Sequence, residues 1–207
     1  MDMTLFKASL LQSALEGKLT KQLSNNSSVD ELIANMVNEK SRLIKEKKIK
    51  KSKPLAPISE DEILFKIPKT WRWVRLGELG EIIGGGTPKK VISEYWEDGN
   101  IPWLTPADMR SIEGKFITEG GNRNITELGL SKSSARLINE NSILYSSRAP
   151  IGYIGINTLP ISTNQGFKSV SLFNKELVNY LYYALKTQTP SIISRASGTT
   201  FLEISGT

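Results

Sequence analysis

The sequence predicts an α+β protein in which an N-terminal helical arm precedes one mixed α/β domain with several short strands. Three observations carry this expectation. Residues 28–45 join a capping signature to an apolar stripe at helical spacing. The stretch from Ser52 to Pro68 is broken by three prolines. Beyond Trp71, short β-prone runs alternate with Gly, Pro and Asn turns and end in a further helical pattern. The division expected is a helical arm with its proline-containing tether over 1–66 and a second domain over 67–207.

Taken in order, residues 1 to about 20 read as a short amphipathic helix with Leu5, Ala8, Leu11 and Leu15 at helical spacing and Gly17 as a left-handed stop. Lys21 to Ser27 is a polar loop. At Ser28 a second helix opens with the S-x-x-E capping box, in which the Ser28 hydroxyl serves the Glu31 amide and Glu31 reaches back. Asp30 and Glu31 also suit the positive end of the helix dipole. Val29, Leu32, Ile33, Met36, Val37, Leu43 and Ile44 form its apolar stripe, which suits packing on a partner or on the rest of this chain.

Pro54, Pro57 and Pro68 around Glu60-Asp61-Glu62 predict an extended tether. Strands are expected at Trp71–Leu76, Glu81–Ile83, Phe116–Ile117, Ser142–Ser146, Tyr153–Ile156 and Ser169–Phe173. Helices are expected from Ile125 to about Ser131 and from Lys175 to about Thr187, the latter with Leu177, Leu181, Ala184 and Leu185 on one face. There is no internal repeat.

Composition narrows the chemistry. The 207 residues include neither Cys nor His, which removes thiolate and imidazole zinc sites, Cys nucleophiles and Ser-His pairs. Any metal would need oxygen ligands alone. No apolar run approaches the ~20 residues of a membrane span, and MDMTLFKASLLQS lacks the basic start of a secretory signal, so the expected compartment is the cytoplasm.

Net charge is +6, from 27 Lys+Arg against 21 Asp+Glu, which suggests a polyanionic partner. The charge is concentrated. Lys40 to Lys53 holds eight basic residues and one acid, a local +7, so the remainder sums to 6 − 7 = −1.

Several segments invite a chemical reading. Gly84-Gly85-Gly86-Thr87-Pro88-Lys89-Lys90 resembles a phosphate cradle in composition, but it lacks the G-x-x-x-x-G-K-[ST] spacing and reads better as a turn or a DNA-backbone contact. Asp108 with Glu113-Gly114-Lys115 offers two carboxylates and a lysine, the inventory of a Mg²⁺-dependent DNA endonuclease. The chain has no Pro-Pro pair of the kind an amino-methyltransferase needs to hold its target amine, and no S-x-x-K. Ser146 to Gly152 and Ser162 to Lys168 are polar loops flanking strands. Their Arg, Asn and Gln have the donors and acceptors that read guanine and adenine, although Ser, Asn and Gly also populate turns for backbone reasons alone.

Seven stretches together resemble the specificity subunit of type I restriction-modification systems. They are LLQSALEGKLTKQ (10–22), ELIANMVNEKSRLIKEKKIKKSKPLAPISEDEI (31–63), IPKTWRWVRLGELGEIIGGGTP (67–88), YWEDGNIPWLTPADM (95–109), ILYSSRAPIGYIGI (143–156), ISTNQGFKSV (161–170) and GTTFLEISG (198–206).

The resemblance implies a non-catalytic subunit whose target recognition domain reads one half of a bipartite double-stranded DNA target. Long helices of that family bind methyltransferase subunits, which carry S-adenosylmethionine and methylate adenine; a restriction subunit can join them. No catalytic residue, metal or cofactor is then expected in this chain. The family pattern has two recognition domains joined by two helical spacers, whereas this chain has one. That implies a truncated or half-length product, or pairing with a second copy to rebuild the two-fold arrangement. A fragment that only competes for the methyltransferase is the alternative to DNA reading. From residue chemistry and loop position, the candidate DNA contacts are Lys89, Lys90, Arg110, Lys115, Arg123, Arg148, Asn164, Gln165 and Lys168.

Overall fold

The computed structural model describes residues 3–21, 29–148 and 150–196, in two compact units, Met1–Glu81 and Ile82–Thr207. The Ser28 cap, most of the 21–27 loop and the GTTFLEISG segment lie outside the described residues.

In the first unit, α1 spans Met3–Leu15 and stops at Gly17, whose φ of 68° is left-handed. The Lys18 amide donates to the Ser13 carbonyl at 2.9 Å and the Gly17 amide to Ala14 at 3.0 Å, the paired bonds that close a helix on a left-handed residue. The expected stripe is only partly packed: Leu15 is buried, but Leu5 and Ala8 are exposed. MTLFKASLLQSAL carries apolar residues on all sides, so one contact face cannot cover them.

The second helix, α2, spans Val29–Lys45. Met36 is buried and Val29, Leu32, Ile33, Leu43 and Ile44 are half-buried, whereas Val37 is 55% exposed. Val37 leaves the stripe because it stands roughly 100° round the helix from Met36. One turn after Met36 comes Lys40, whose Nζ donates to the Gly77 carbonyl at 3.2 Å. The helix closes on Lys47 at φ 58°, with the Lys48 amide donating to Leu43 at 2.9 Å. Arg42 pairs with both Glu39 and Glu46, and Lys48 pairs with Glu46, so part of the cationic run is neutralised locally.

The tether is irregular apart from a 3₁₀ turn at Glu60–Glu62, and one arginine organises it. Arg75 makes a two-pronged ion pair with Glu62 and donates to the carbonyls of Ala56 at 3.0 Å and Pro57 at 2.7 Å. The Arg75 guanidinium, and then the Ser59 amide, hold the Glu62 carboxyl down at about 2.

Trp71–Leu76 is not a strand. The Trp71 amide turns back to Pro68 at 3.0 Å, and the Arg75 amide donates to the Glu78 carboxylate at 2.6 Å to open the short helix α3 (Leu76–Leu79). With those amides satisfied locally, the segment has no ladder to offer a neighbour.

The second unit is built on two sheets. The larger has the order β1-β8-β5-β6-β3, from Gly80–Gly84, Lys168–Leu172, Ile143–Tyr145, Ile154–Asn157 and Phe116–Ile117. In it β5 runs antiparallel to β6, with Leu144 opposite Gly155, and antiparallel to β8, with Ile143 opposite Val170. All five strands fall where the alternating apolar runs place them.

The smaller sheet, β4-β2-β7, comprises Arg123–Ile125, Ile101–Leu104 and Ser162–Thr163. Here β2 is antiparallel to β4, with Trp103 opposite Arg123, and parallel to β7, with Leu104 opposite Thr163. Ile125 therefore belongs to a strand and not to the following helix. That helix, α4, covers only Glu127–Ser131 because the Thr126 hydroxyl caps it, accepting from the Gly129 amide at 3.0 Å.

Ile83, Leu104, Met109, Ile117, Ile138, Leu144, Ile161 and Phe167 form one core drawn from both sheets. A second core contains Trp96, Ile101, Trp103, Ile125 and Ala135. The last helix, α5 (Val178–Ser194), follows a 3₁₀ turn at Lys175–Leu177 and runs past Thr187 and through Pro190. Val178, Leu181 and Tyr182 are its buried residues.

Candidate nucleic-acid interface

Three polar loops that are far apart in sequence meet in the second unit. The loop after β1 touches the loop after β7 through the Gly86 amide, which donates to the Thr163 carbonyl at 2.8 Å, and through the Thr87 hydroxyl, which donates to Gln165 Oε1. The loop after β5 joins them where the Ser147 amide donates to the Gly166 carbonyl at 2.8 Å. Small residues make this approach feasible. A Cβ on Gly85 would stand 1.9 Å from the Asn164 carbonyl oxygen, and one on Gly86 would stand 2.3 Å from the Ala135 amide nitrogen.

Seven of the nine candidate DNA contacts lie in these loops, flank them or stack on the tryptophan pair beside them. Lys89 and Lys90 are exposed, and Val91 next to them is 92% exposed. Gln165 is exposed, and its amide N–H donors stay available after its oxygen accepts from Thr87. Asn164 serves the turn itself: its Oδ1 accepts from the Gly166 amide at 2.8 Å, which leaves its side-chain N–H donors for other use. Arg148 and Lys168, both half-buried, flank the same junction on the β5 and β8 sides.

Arg123 reaches the same place from β4. Its guanidinium carbon lies 3.9 Å from the centroid of the Trp96 ring. Trp96 meets Trp103 edge to face at 5.1 Å, and the two indoles hold the glycine loop by donating to Lys89 and Gly86 carbonyls at 3.2 and 2.9 Å. The tryptophans are the members of this cluster that local reading misses. Their aromatic composition is visible in sequence, but the β2–β4 register sets Trp103 opposite Arg123, and the bonds from Thr126 to Tyr95 and Glu94 bring Trp96 beside them.

The other two candidates are placed differently. Arg110 is exposed on a 3₁₀ turn, Asp108–Ser111. Lys115 is held against α5, where its Nζ donates to Asn179 Oδ1 at 2.8 Å and lies 5.5 Å from the Tyr183 ring centroid.

Of the three residues with an endonuclease's inventory, Asp108 and Lys115 are both engaged by other partners. Asp108 accepts from the Thr105 amide at 2.8 Å and hydroxyl at 2.6 Å, and from the Asn122 amide at 3.3 Å and side chain at 2.7 Å. Partial burial raises its pKa, but these bonds outweigh it and leave the carboxyl below its ordinary value. The carboxylate is thus a clip between two loops. Among the described residues no group of three acidic side chains could hold a metal ion.

Residues 68–207 match the model of the type I restriction modification DNA specificity domain. The chain belongs to that family. It is 43% identical over 143 residues to the type I restriction enzyme MjaIX specificity subunit of Methanocaldococcus jannaschii, covering 68% of this chain and 33% of that protein. With the EcoAI specificity subunit of Escherichia coli it shares 32% identity over 161 residues, covering 75% of this chain and 26% of that protein. The chain thus spans between a quarter and a third of the length of these curated relatives. A solved chain of a type I R-M system superposes with a TM-score of 0.52 at 21% identity, covering 98% of this chain and 43% of that one, which supports the α+β fold.

Proposed function

We propose that this specificity-domain chain reads one half of a bipartite double-stranded DNA target and directs adenine methylation, and restriction, by partner subunits. The observation that carries this reading is the junction of three loops with the Trp96–Arg123 stack. It gathers cations and available amide donors in one place, the inventory that phosphate positioning and base reading require. Family membership supports the same reading.

In this proposal the chain performs no bond chemistry, and S-adenosylmethionine belongs to the methyltransferase partner. The half-buried residues of α2 are the candidate helix contacts to that partner, with Val37 the exposed member of the stripe. A second copy of this chain supplies the other half-site, and the complex works in the cytoplasm, where it meets chromosomal DNA.

The test is to co-express the chain with its cognate methyltransferase subunit and map methylated adenines across a genome. One recurring sequence motif, absent when the chain is omitted, is expected. Unchanged methylation would overturn the proposal, as would Mg²⁺-dependent DNA cleavage by the purified chain that Glu113→Ala abolishes.

A further inference from the structure

We infer that Arg123 is a guanine-reading, specificity-determining residue, held for that task on the Trp96 ring. The inference rests on the DNA-reading function proposed above and assigns a base to one side chain.

An arginine recognises guanine through two parallel N–H bonds to O6 and N7, and this works best when the guanidinium plane is already oriented. Arg123 meets that condition. Its guanidinium lies over the Trp96 ring at 3.9 Å. Among the described residues it has no hydrogen-bond acceptor and no carboxylate partner, although Glu94, Glu97 and Asp98 flank Trp96 in the chain. Stacking satisfies the face of a guanidinium and leaves its N–H edge available. Arg75 shows the contrast: its donors are committed to Glu62, Ala56 and Pro57, as expected of a structural arginine.

The platform beneath Arg123 is fixed by backbone bonds. The Thr126 amide donates to the Tyr95 carbonyl at 3.0 Å, and the Thr126 hydroxyl donates to the Glu94 carbonyl at 2.8 Å, so the residues leading into Trp96 are tied to the end of β4. Gly99 sits against β4 where a Cβ would meet the Ile125 backbone carbon at 2.8 Å. Trp96 itself is 8% exposed, anchored through its indole N–H to the Lys89 carbonyl and through its ring edge to Trp103. A guanidinium over this rigid ring loses less rotational freedom on binding than a free arginine would. The neighbouring Lys89 and Lys90 are point cations suited to phosphate, which fits the geometric division between positioning and reading.

The experiment uses the full chain and duplexes carrying its methylation-mapped sequence, with each guanine replaced in turn by 7-deazaguanine, which lacks the N7 acceptor. Wild-type protein is expected to lose about tenfold or more in affinity at one guanine and little at the others. Arg123→Lys keeps the charge but loses the planar guanidinium, and with it both the stack and the fork. It is expected to bind the unmodified duplex with a similar salt dependence, weaker by about the same factor, and to lose clearly less affinity than the wild type when the analogue replaces that guanine.

Wild-type indifference to 7-deazaguanine at every position would overturn the inference, and this arm needs no variant to fold. Full guanine discrimination by Arg123→Lys would also overturn it, while leaving the DNA-reading function standing. A wild-type chain with no preferred sequence would overturn both.

Discussion

The two sheets of the second unit differ in how they are written. Every strand of the five-stranded sheet is announced by a local run, such as Ile143-Leu144-Tyr145 or Lys168 to Leu172 with its buried Val170 and Leu172. No strand of the three-stranded sheet is. Its central strand β2 contains Pro102, its strand β7 is only Ser162-Thr163, and β4 begins with the exposed pair Arg123-Asn124. The larger sheet is a frame whose strands are specified by burial. The smaller is held by its register and by Trp103 with its neighbour Trp96, and it carries Arg123 and leads into the Asn164-Gln165 loop, while the loops after β1 and β5 bring Lys89, Lys90 and Arg148 to the same junction. Surfaces that read a ligand are relieved of the apolar pattern that makes a strand visible.

The sharpest way to break this comparison is to remove a core side chain from each sheet. Leu144→Ala should lower the unfolding free energy by about 2–5 kcal/mol and Trp103→Ala by about 3–5 kcal/mol in chemical denaturation. Under conditions where both variants are folded, only Trp103→Ala is expected to change base preference, because Trp103 supports Trp96 and the Gly86 carbonyl. An equal change in preference from both would erase the distinction between frame and reader.

A smaller effect tests the clip between the loops beside the small sheet. Asp108→Ala removes the four bonds from Thr105 and Asn122 and should cost about 1.5–3 kcal/mol at neutral pH. Because hydrogen bonding lowers the folded carboxyl despite its burial, the Asp108 contribution is present above the ordinary carboxylate value of 3.8 and disappears as pH falls through the lower folded value. Denaturation at a series of acid pH values should show this loss in the wild type, and Asp108→Ala should lack that component.

The smallest effect separates attraction from reading. Lys47, Lys50 and Lys51 lie after α2, outside both sheets. Changing them to Gln should reduce the slope of log affinity against log salt by at most about 0.9 for each phosphate that is no longer neutralised, with the preferred sequence unchanged. A shifted sequence preference in a binding-site selection would show that these lysines read as well as attract.

Much of the candidate site was legible as ingredients and little of it as an arrangement. Lys89, Arg148 and Gln165 can be nominated from loop chemistry, and Gly85 and Gly86 stand out as a turn. That Thr87 meets Gln165, or that Ser147 meets Gly166, depends on strand order, which short segments do not encode locally. The same limit explains one expectation that the fold corrects, the Trp71–Leu76 strand, and one alternative that sequence left open, the metal reading of Asp108. Asp108 carries a metal ligand's chemistry but is committed to Thr105 and Asn122. Trp71–Leu76 has β-prone residues, but its Arg75 amide opens a helix and its Arg75 side chain clamps the tether.

By itself, then, the amino-acid sequence determined the α+β class, the α2 helix, the five framework strands, the left-handed stop at Gly17 and the absence of Cys and His chemistry. These follow from periodicity, backbone conformation and composition, which act over a few residues. Only the tertiary structure decided that Arg123 stacks on Trp96, that Lys115 turns to α5, and that three loops meet at one junction. Each of those requires partners brought together across tens of residues, and packing selects them through register and close approach at glycine.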